Sequence, residues 1–173
     1  MTYDKKIAIV YKTKYGCTMK YAGWLAIKLN ADLYEISDVG RWDLLKYKTI
    51  IFGSPIYNSK IYLGHYLKGK YNTIKNKNII LFCVGMNFEN KDYIIEYNFK
   101  DEEIREKVKI FFLQGSINFN DLSIIDKNKI KKYTKKNLLL ETTNLENNIN
   151  IDIDRSDKHS IDPIIDYALY KTY

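Results

Sequence analysis

This sequence predicts a doubly wound α/β domain built on a five-stranded parallel sheet, and three observations carry that prediction. Strand-like and helix-like segments alternate along the chain at the spacing of crossover units. One strand-like run, Asn78–Val84 (NIILFCV), is apolar throughout, as a central parallel strand covered on both faces must be. No Pro/Gly/Ser linker and no internal repeat divides the 173 residues. The chain 1–173 therefore reads as a single domain, long enough to bury a full core without metal or disulfide help.

The elements follow in order. Lys6–Tyr11 (KIAIVY) is a short β-branched run that stops at a polar, glycine-containing turn. From Thr18 the pattern turns helical, with Met19, Ala22, Leu25, Ala26 and Leu29 on one face. Asp32–Ile36 reads as a second, more exposed strand. Thr49–Phe52 is a third, ending at a turn formed by Gly53, Ser54 and Pro55, and Asn78–Val84 is the fourth. Asp101–Ile110 carries acidic residues in its first turn and basic ones in its last, the distribution that complements a helix dipole. Phe111–Ile117 supplies a fifth strand. Beyond it, Lys127–Lys136 reads as a basic helix and Thr142–Asp154 as an Asn/Asp-rich loop. Ser160 is placed as an N-cap, Pro163 in the first turn, and Ile164, Ile165, Ala168 and Leu169 as the apolar stripe of a closing helix. Right-handed crossovers put helices on both faces of the sheet.

Composition narrows the function classes. The apolar fraction of 46% is that of a globular chain. No apolar run approaches the roughly 20 residues of a membrane span, and MTYDKKIAIVYKT lacks a signal-peptide shape, so a cytoplasmic protein is expected. Cys17 and Cys83 are too few for a disulfide scaffold and form no zinc motif. The net charge of +7 is compatible with an acidic partner or with peripheral attachment to an anionic membrane. It argues less for nucleic acid: Lys supplies 25 of the 28 basic residues, and the Arg forks suited to bases and phosphates number only three, Arg41, Arg105 and Arg155. Abundant Lys, Asn, Ile and Tyr with scarce Pro and Ala is the joint bias an AT-rich genome imposes.

In doubly wound sheets ligands bind beyond the carboxyl ends of the strands, at the switch point in strand order. The residues after strands one, three and four are therefore the informative ones. After strand one come Thr13, Lys14, Tyr15, Gly16, Cys17 and Thr18, two hydroxyls around a glycine at the opening of a helix. Such a turn offers backbone N–H groups, hydroxyl donors and the positive end of a helix dipole to a phosphate. A plain reading also exists, with Thr18 as an N-cap and Gly16 as a turn residue. Neither GxxxxGK[ST] nor GxGxxG is present. After strand three come Ser54, Pro55, Ile56, Tyr57 and Asn58, and after strand four Gly85, Met86, Asn87 and Phe88. A flat apolar ring can be sandwiched there between Tyr57 and Met86 or Phe88. Lys14 is a candidate phosphate partner. Cys17 sits where a thiol pKa can fall, although a small packed residue explains it as well. Trp24 and Trp42 are explained by helix or loop packing as well as by contact with a bound ring, Cys83 belongs to the core strand, and His65 and His159 stand in no constellation and read as surface residues.

These three loops resemble those of the flavodoxin superfamily, and more closely the flavodoxin-domain group that includes the bacterial flavodoxin-like protoporphyrinogen oxidases. The family's first loop has hydroxyl residues on either side of a glycine; the match here is Thr13, Gly16 and Thr18, with Tyr15 in place of the usual hydroxyl. GSPIY looks like the second flavin loop and GMNFEN occupies the third, and the likeness runs over about residues 5–119 and 155–170. The resemblance implies a flavodoxin-like three-layer sandwich with strand order 2-1-3-4-5 and a non-covalently bound FMN. It implies electron transfer to a redox partner protein or a small-molecule acceptor. No catalytic side chain and no metal are needed, and backbone groups of Ile56–Asn58 would face the flavin N5. The alternative is an enzyme, a protoporphyrinogen-oxidase-like or quinone-reductase-like flavin oxidoreductase. The basic charge favours that branch, while the Lys/Asn-rich segment Asn120–Asp157, with its one apolar cluster Leu138-Leu139-Leu140, departs from that branch's long apolar-aromatic and basic insertion. A phosphoacceptor receiver on the same fold is excluded by the missing acidic residues after IAIVY and IIF.

Overall fold

A computed structural model describes residues 6–40, 42–88, 90–129 and 152–173. In chain order its elements are β1 (Ile7–Tyr11), α1 (Cys17–Leu29), β2 (Asp32–Glu35), β3 (Thr49–Tyr57), β4 (Lys60–Ile61), α2 (Gly64–Ile74), β5 (Asn78–Gly85), α3 (Lys91–Asn98), α4 (Glu102–Lys107), β6 (Val108–Gln114) and β7 (Ser116–Ile117). A helical stretch over 124–129 (α5), β8 (Ile153–Asp154) and α6 (Asp162–Thr172) complete the described chain.

The parallel sheet has the order β2-β1-β3-β5-β6, which is 2-1-3-4-5 when its parallel strands alone are numbered. This is the flavodoxin-like sandwich. The period-2 alternation of each strand divides the core in two. Ala8, Val10, Ile50, Phe52, Leu81 and Cys83 face α2, α3 and α4, where Leu67, Tyr71, Ile94 and Ile104 meet them. Ile7, Ile9, Ile51, Ile80, Phe82 and Val84 face α1 and α6, against Tyr21, Ala22, Leu25, Ile164 and Ala168. Burial raises the Cys83 thiol pKa far above its ordinary value, so this cysteine is core.

Several expectations need correction. Gly53, Ser54 and Pro55 are strand, not turn, because β3 runs on to Tyr57 and a short antiparallel partner, β4, extends the sheet beyond the end of β1. Pro55 is tolerated there because β1 stops at Tyr11, opposite Gly53, so no ladder acceptor is left for the N–H that proline lacks. The helix predicted over Asp101–Ile110 stops at Lys107, and the fifth strand correspondingly begins at Val108. Pairing of Val108 with Ile79 and of Ile110 with Leu81 overrides the helical pattern. The same strand ends at Gln114, and Ser116–Ile117 pairs instead with β8, inside the stretch read as loop. Met19 is 48% and Leu169 40% exposed; the buried face of α1 carries Thr18 and Tyr21 in its place. Ser160 is not an N-cap: α6 begins after Ile161, and Asp157 caps the preceding 3₁₀ turn by accepting from His159 N. The basic helix begins at residue 124, three residues earlier than predicted; its expected residues 130–136, and Leu138-Leu139-Leu140, lie outside the described residues.

Candidate functional site

The carboxyl edge of the sheet brings together the ends of β1, β3 and β5, and with them the three loops singled out in the sequence. The first runs from Lys12 to Gly16. Lys12 N donates to Gly53 O at 2.9 Å, which carries the β1–β3 ladder one residue past the strand. Gly16 then takes φ +83°, a left-handed conformation that turns the chain into α1 and that a side-chain-bearing residue resists. A Cβ at Gly16 would meet nothing within 4 Å, so the space above the turn is open. Gly16 N donates to Thr13 Oγ1 at 3.0 Å, and among the described residues no side chain caps the amide end of α1. Thr18 lies in the first turn, 2% exposed, and Cys17 beside it is 8% exposed. An uncapped helix start with an open glycine turn and two nearby hydroxyls is a donor set that fits a phosphate.

The second loop is a tight hairpin. Asn58 and Ser59 both adopt positive φ, 49° and 62°, the pair of left-handed residues a two-residue turn between twisted strands requires. Tyr57 and Lys60 face each other across it. Asn98 of α3 holds this turn in place: its Oδ1 accepts from Ile61 N at 2.9 Å, and its Nδ2 donates to Ser59 O at 2.6 Å and Ile94 O at 2.8 Å. Tyr57 at the hairpin is 40% exposed. Its hydroxyl pKa is pushed up to about 12, chiefly by burial, with the Lys14 cation pulling the other way. The Lys14 ammonium stands 5.5 Å from the Tyr57 ring centre.

Not every candidate faces this edge. Ser54 is fully buried; its hydroxyl accepts from Leu63 N at 2.9 Å and donates to Pro55 O at 3.0 Å, a structural task that ties β3 to the start of α2. Pro55 and Ile56 are buried strand residues. In the third loop Phe88 folds back, stacking edge-to-face on Phe112 with ring centres 5.0 Å apart. A Cβ on Gly85 would lie only 3.0 Å from that ring, so the glycine leaves room for it. Met86, half-buried, and Asn87, exposed, are the residues of this loop nearer solvent. Tyr57, Met86 and Asn87 thus keep exposed surface at this edge, while the Phe88 ring packs on Phe112.

Sequence reasoning missed two residues. Asn98 is one. The other is Asp126, on α5, whose Oδ2 accepts from Lys14 Nζ at 2.5 Å and from Tyr15 OH at 2.5 Å. These bonds, Lys14 first, hold its carboxyl at about 2 and raise Lys14 in turn. Nothing local marks either residue; each acts across a long sequence separation. Both histidines are exposed, and no cluster of metal-ligating side chains occurs among the described residues. Nor is any helix among them long and apolar enough to cross a membrane.

A family model described as the flavodoxin domain matches residues 8–138. Solved structures similar to this chain include oxidised flavodoxin 2 from Bacillus cereus, 17% identical over 76% of this chain and 99% of that one, with a TM-score of 0.47. A flavodoxin from the domain Archaea is 16% identical over 72% and 98%, TM-score 0.46, and the Trp repressor binding protein from Bacillus subtilis 14% over 81% and 100%, TM-score 0.47. No curated protein matches the sequence significantly.

Proposed function

The chain belongs to the flavodoxin-domain family, and from that premise we propose that it is an FMN-binding redox protein that passes electrons between partners in the cytoplasm. Bound non-covalently, FMN would supply one- or two-electron chemistry through its isoalloxazine ring. The observation that carries the reading is the uncapped start of α1 at the open Gly16 turn, with the Thr13 and Thr18 hydroxyls beside it. The amides of Cys17–Met19 and these hydroxyls would hold the phosphate. Tyr57, with Met86 and Asn87, would hold and shield the ring. The Ile56–Asn58 backbone, next to the turn that Asn98 ties down through Ser59 and Ile61, would make the contact to N5. With a net charge of +7, the expected redox partner is acidic, and an anionic membrane surface would attract the protein in the same way.

A second reading, a flavin-dependent oxidoreductase of the protoporphyrinogen-oxidase or quinone-reductase kind, is favoured by one feature. A cavity of about 420 Å³ adjoins the β3–β4 hairpin, lined by Lys60, His65, Lys68 and Tyr97, with no acidic side chain in its wall. An anionic substrate with a planar body suits it. Turnover with a quinone acceptor, lost in Lys60→Ala with Lys68→Ala, would select the enzyme over the carrier.

The phosphate assignment is tested by fluorescence titration of Thr13→Ala with Thr18→Ala. Loss of two charge-assisted hydrogen bonds weakens FMN binding by about tenfold or more and leaves riboflavin, which has no phosphate, unchanged. Equal losses for both flavins would place the phosphate elsewhere.

A further inference from the structure

The two side chains of the first loop best able to meet an anion already meet one. Lys14 Nζ and Tyr15 OH, successive residues, converge on a single oxygen of Asp126, as they would on a phosphate oxygen. Lys129 Nζ lies 3.6 Å from the other carboxylate oxygen. The Asp126 side chain is 17% exposed, and it comes from a segment more than a hundred residues further along the chain.

How α5 is attached matters as much as the contact itself. Ile124 and Ile125 are 79% and 67% exposed, so among the described residues of this helix apolar burial does not seat it on the loop. Its described ties to the loop are polar: Asp126 to Lys14 and Tyr15, and Ser123 N to Tyr15 OH at 3.4 Å. The apolar anchor of the segment lies upstream, at Phe119 and Leu122, both 6% exposed. Polar ties can be exchanged for other polar ties without loss of buried apolar surface. Meanwhile Gly16 N is held by Thr13 Oγ1, but no side chain among the described residues caps the start of α1. The loop is therefore half filled by an internal anion and half open.

We propose that Asp126 is an internal rival of the phosphate: its carboxylate occupies the side-chain arm of the first loop, and a phosphate-bearing ligand gains Lys14 and Tyr15 only by displacing it. The proposal rests on the reading of this loop as the phosphate site. It makes ligand affinity a property of the α5 segment as well as of the loop, and it lets the flavin exchange where a loop without an internal anion would hold it. Repulsion between the Asp126 carboxylate and a phosphate dianion acts in the same direction.

The test uses the full chain, wild type and Asp126→Asn, titrated with inorganic phosphate, FMN and riboflavin. Phosphate is followed by the amide resonances of Thr13–Met19, the flavins by fluorescence. Asp126→Asn should bind phosphate and FMN about tenfold more tightly, the equivalent of one charge-assisted hydrogen bond no longer contested, with riboflavin unchanged. Equal or weaker phosphate binding by the variant would overturn the proposal, since the carboxylate then only props the loop. Should the variant fail to fold, the wild-type Asp126 carboxyl carbon resonance decides. A shift on adding phosphate supports displacement, and no shift while the loop amides respond overturns it. Tighter phosphate binding without FMN binding by either protein would sustain the proposal and sink the FMN reading. FMN bound equally by both would do the reverse, and a loop that takes neither ligand would refute both.

Discussion

Replacing Asn98 with Ala should show how much of the site depends on a residue outside its three loops. Asn98 is 8% exposed, and its carboxamide accepts from Ile61 N and donates to Ser59 O and Ile94 O. Ile61 is 1% exposed, so its N–H cannot turn to water once the acceptor is gone. An abandoned buried donor costs about 1–3 kcal/mol, and the Ser59 carbonyl, in a half-buried turn, adds a smaller amount. The expected loss is about 2–4 kcal/mol. In equilibrium urea unfolding the midpoint should fall by about 1–2 M with an unchanged slope. FMN affinity should fall with it, because the two left-handed turn residues, Asn58 and Ser59, lose the anchor that aims Tyr57. Asn98→Asp restores the acceptor, but it removes the donor to Ser59 and buries a charge, so it should be no more stable than the alanine variant at neutral pH. A loss below about 0.5 kcal/mol for Asn98→Ala, the range of ordinary surface changes, would refute the reasoning.

Three further outcomes are expected. Gly53→Ala places a Cβ 2.3 Å from Phe82 Cζ and 2.8 Å from Cε1, against a ring that is fully buried, so stability should drop by about 1–3 kcal/mol in thermal or urea unfolding; an unchanged midpoint would mean the ring has room to move. The Asp126 carboxyl is held at about 2, below its ordinary 3.8, so the stabilisation from its ties is full above about pH 4 and is lost as pH falls through 2. A carbon-detected titration giving Asp126 a midpoint near 3.8 would contradict the tie. Tyr57→Ala should shift the reduction potential of bound flavin while leaving the unfolding midpoint nearly in place, because this ring is 40% exposed; an unmoved potential with a large loss of stability would make Tyr57 a core residue.

The sheet was legible because its signal is local. NIILFCV reads as a doubly covered strand and is one; TIIF pairs with it, and KIAIVY pairs with TIIF. What misled were residues whose local meaning is overruled by distant partners. Gly53 and Pro55 look like a turn, yet glycine there makes room for Phe82, and proline sits where β1 no longer pairs. Val108 and Ile110 continue a helical pattern but gain more by pairing with β5. The helix α2 went unread because its two glycines and polar face hide the spacing of Leu67, Tyr71 and Ile74. Within the site, the first loop was readable as a glycine turn opening a helix, which Gly16 and α1 form. Ser54 and Phe88 were assigned to the ligand when their partners are Leu63 N and Phe112. Asp126 and Asn98 carry no sequence signal at all, since each becomes informative only through contacts made across the fold.

The central claim is that the edge formed by Thr13–Thr18, Tyr57 and Met86–Asn87 binds FMN. The most direct measurement is the visible absorption spectrum of the purified protein, before and after incubation with FMN and desalting. Flavin bands that co-elute with the protein at close to one per chain are the expected result. A spectrum without flavin in both samples, from protein shown to be folded, would contradict the claim and leave a flavodoxin-like fold without its cofactor site.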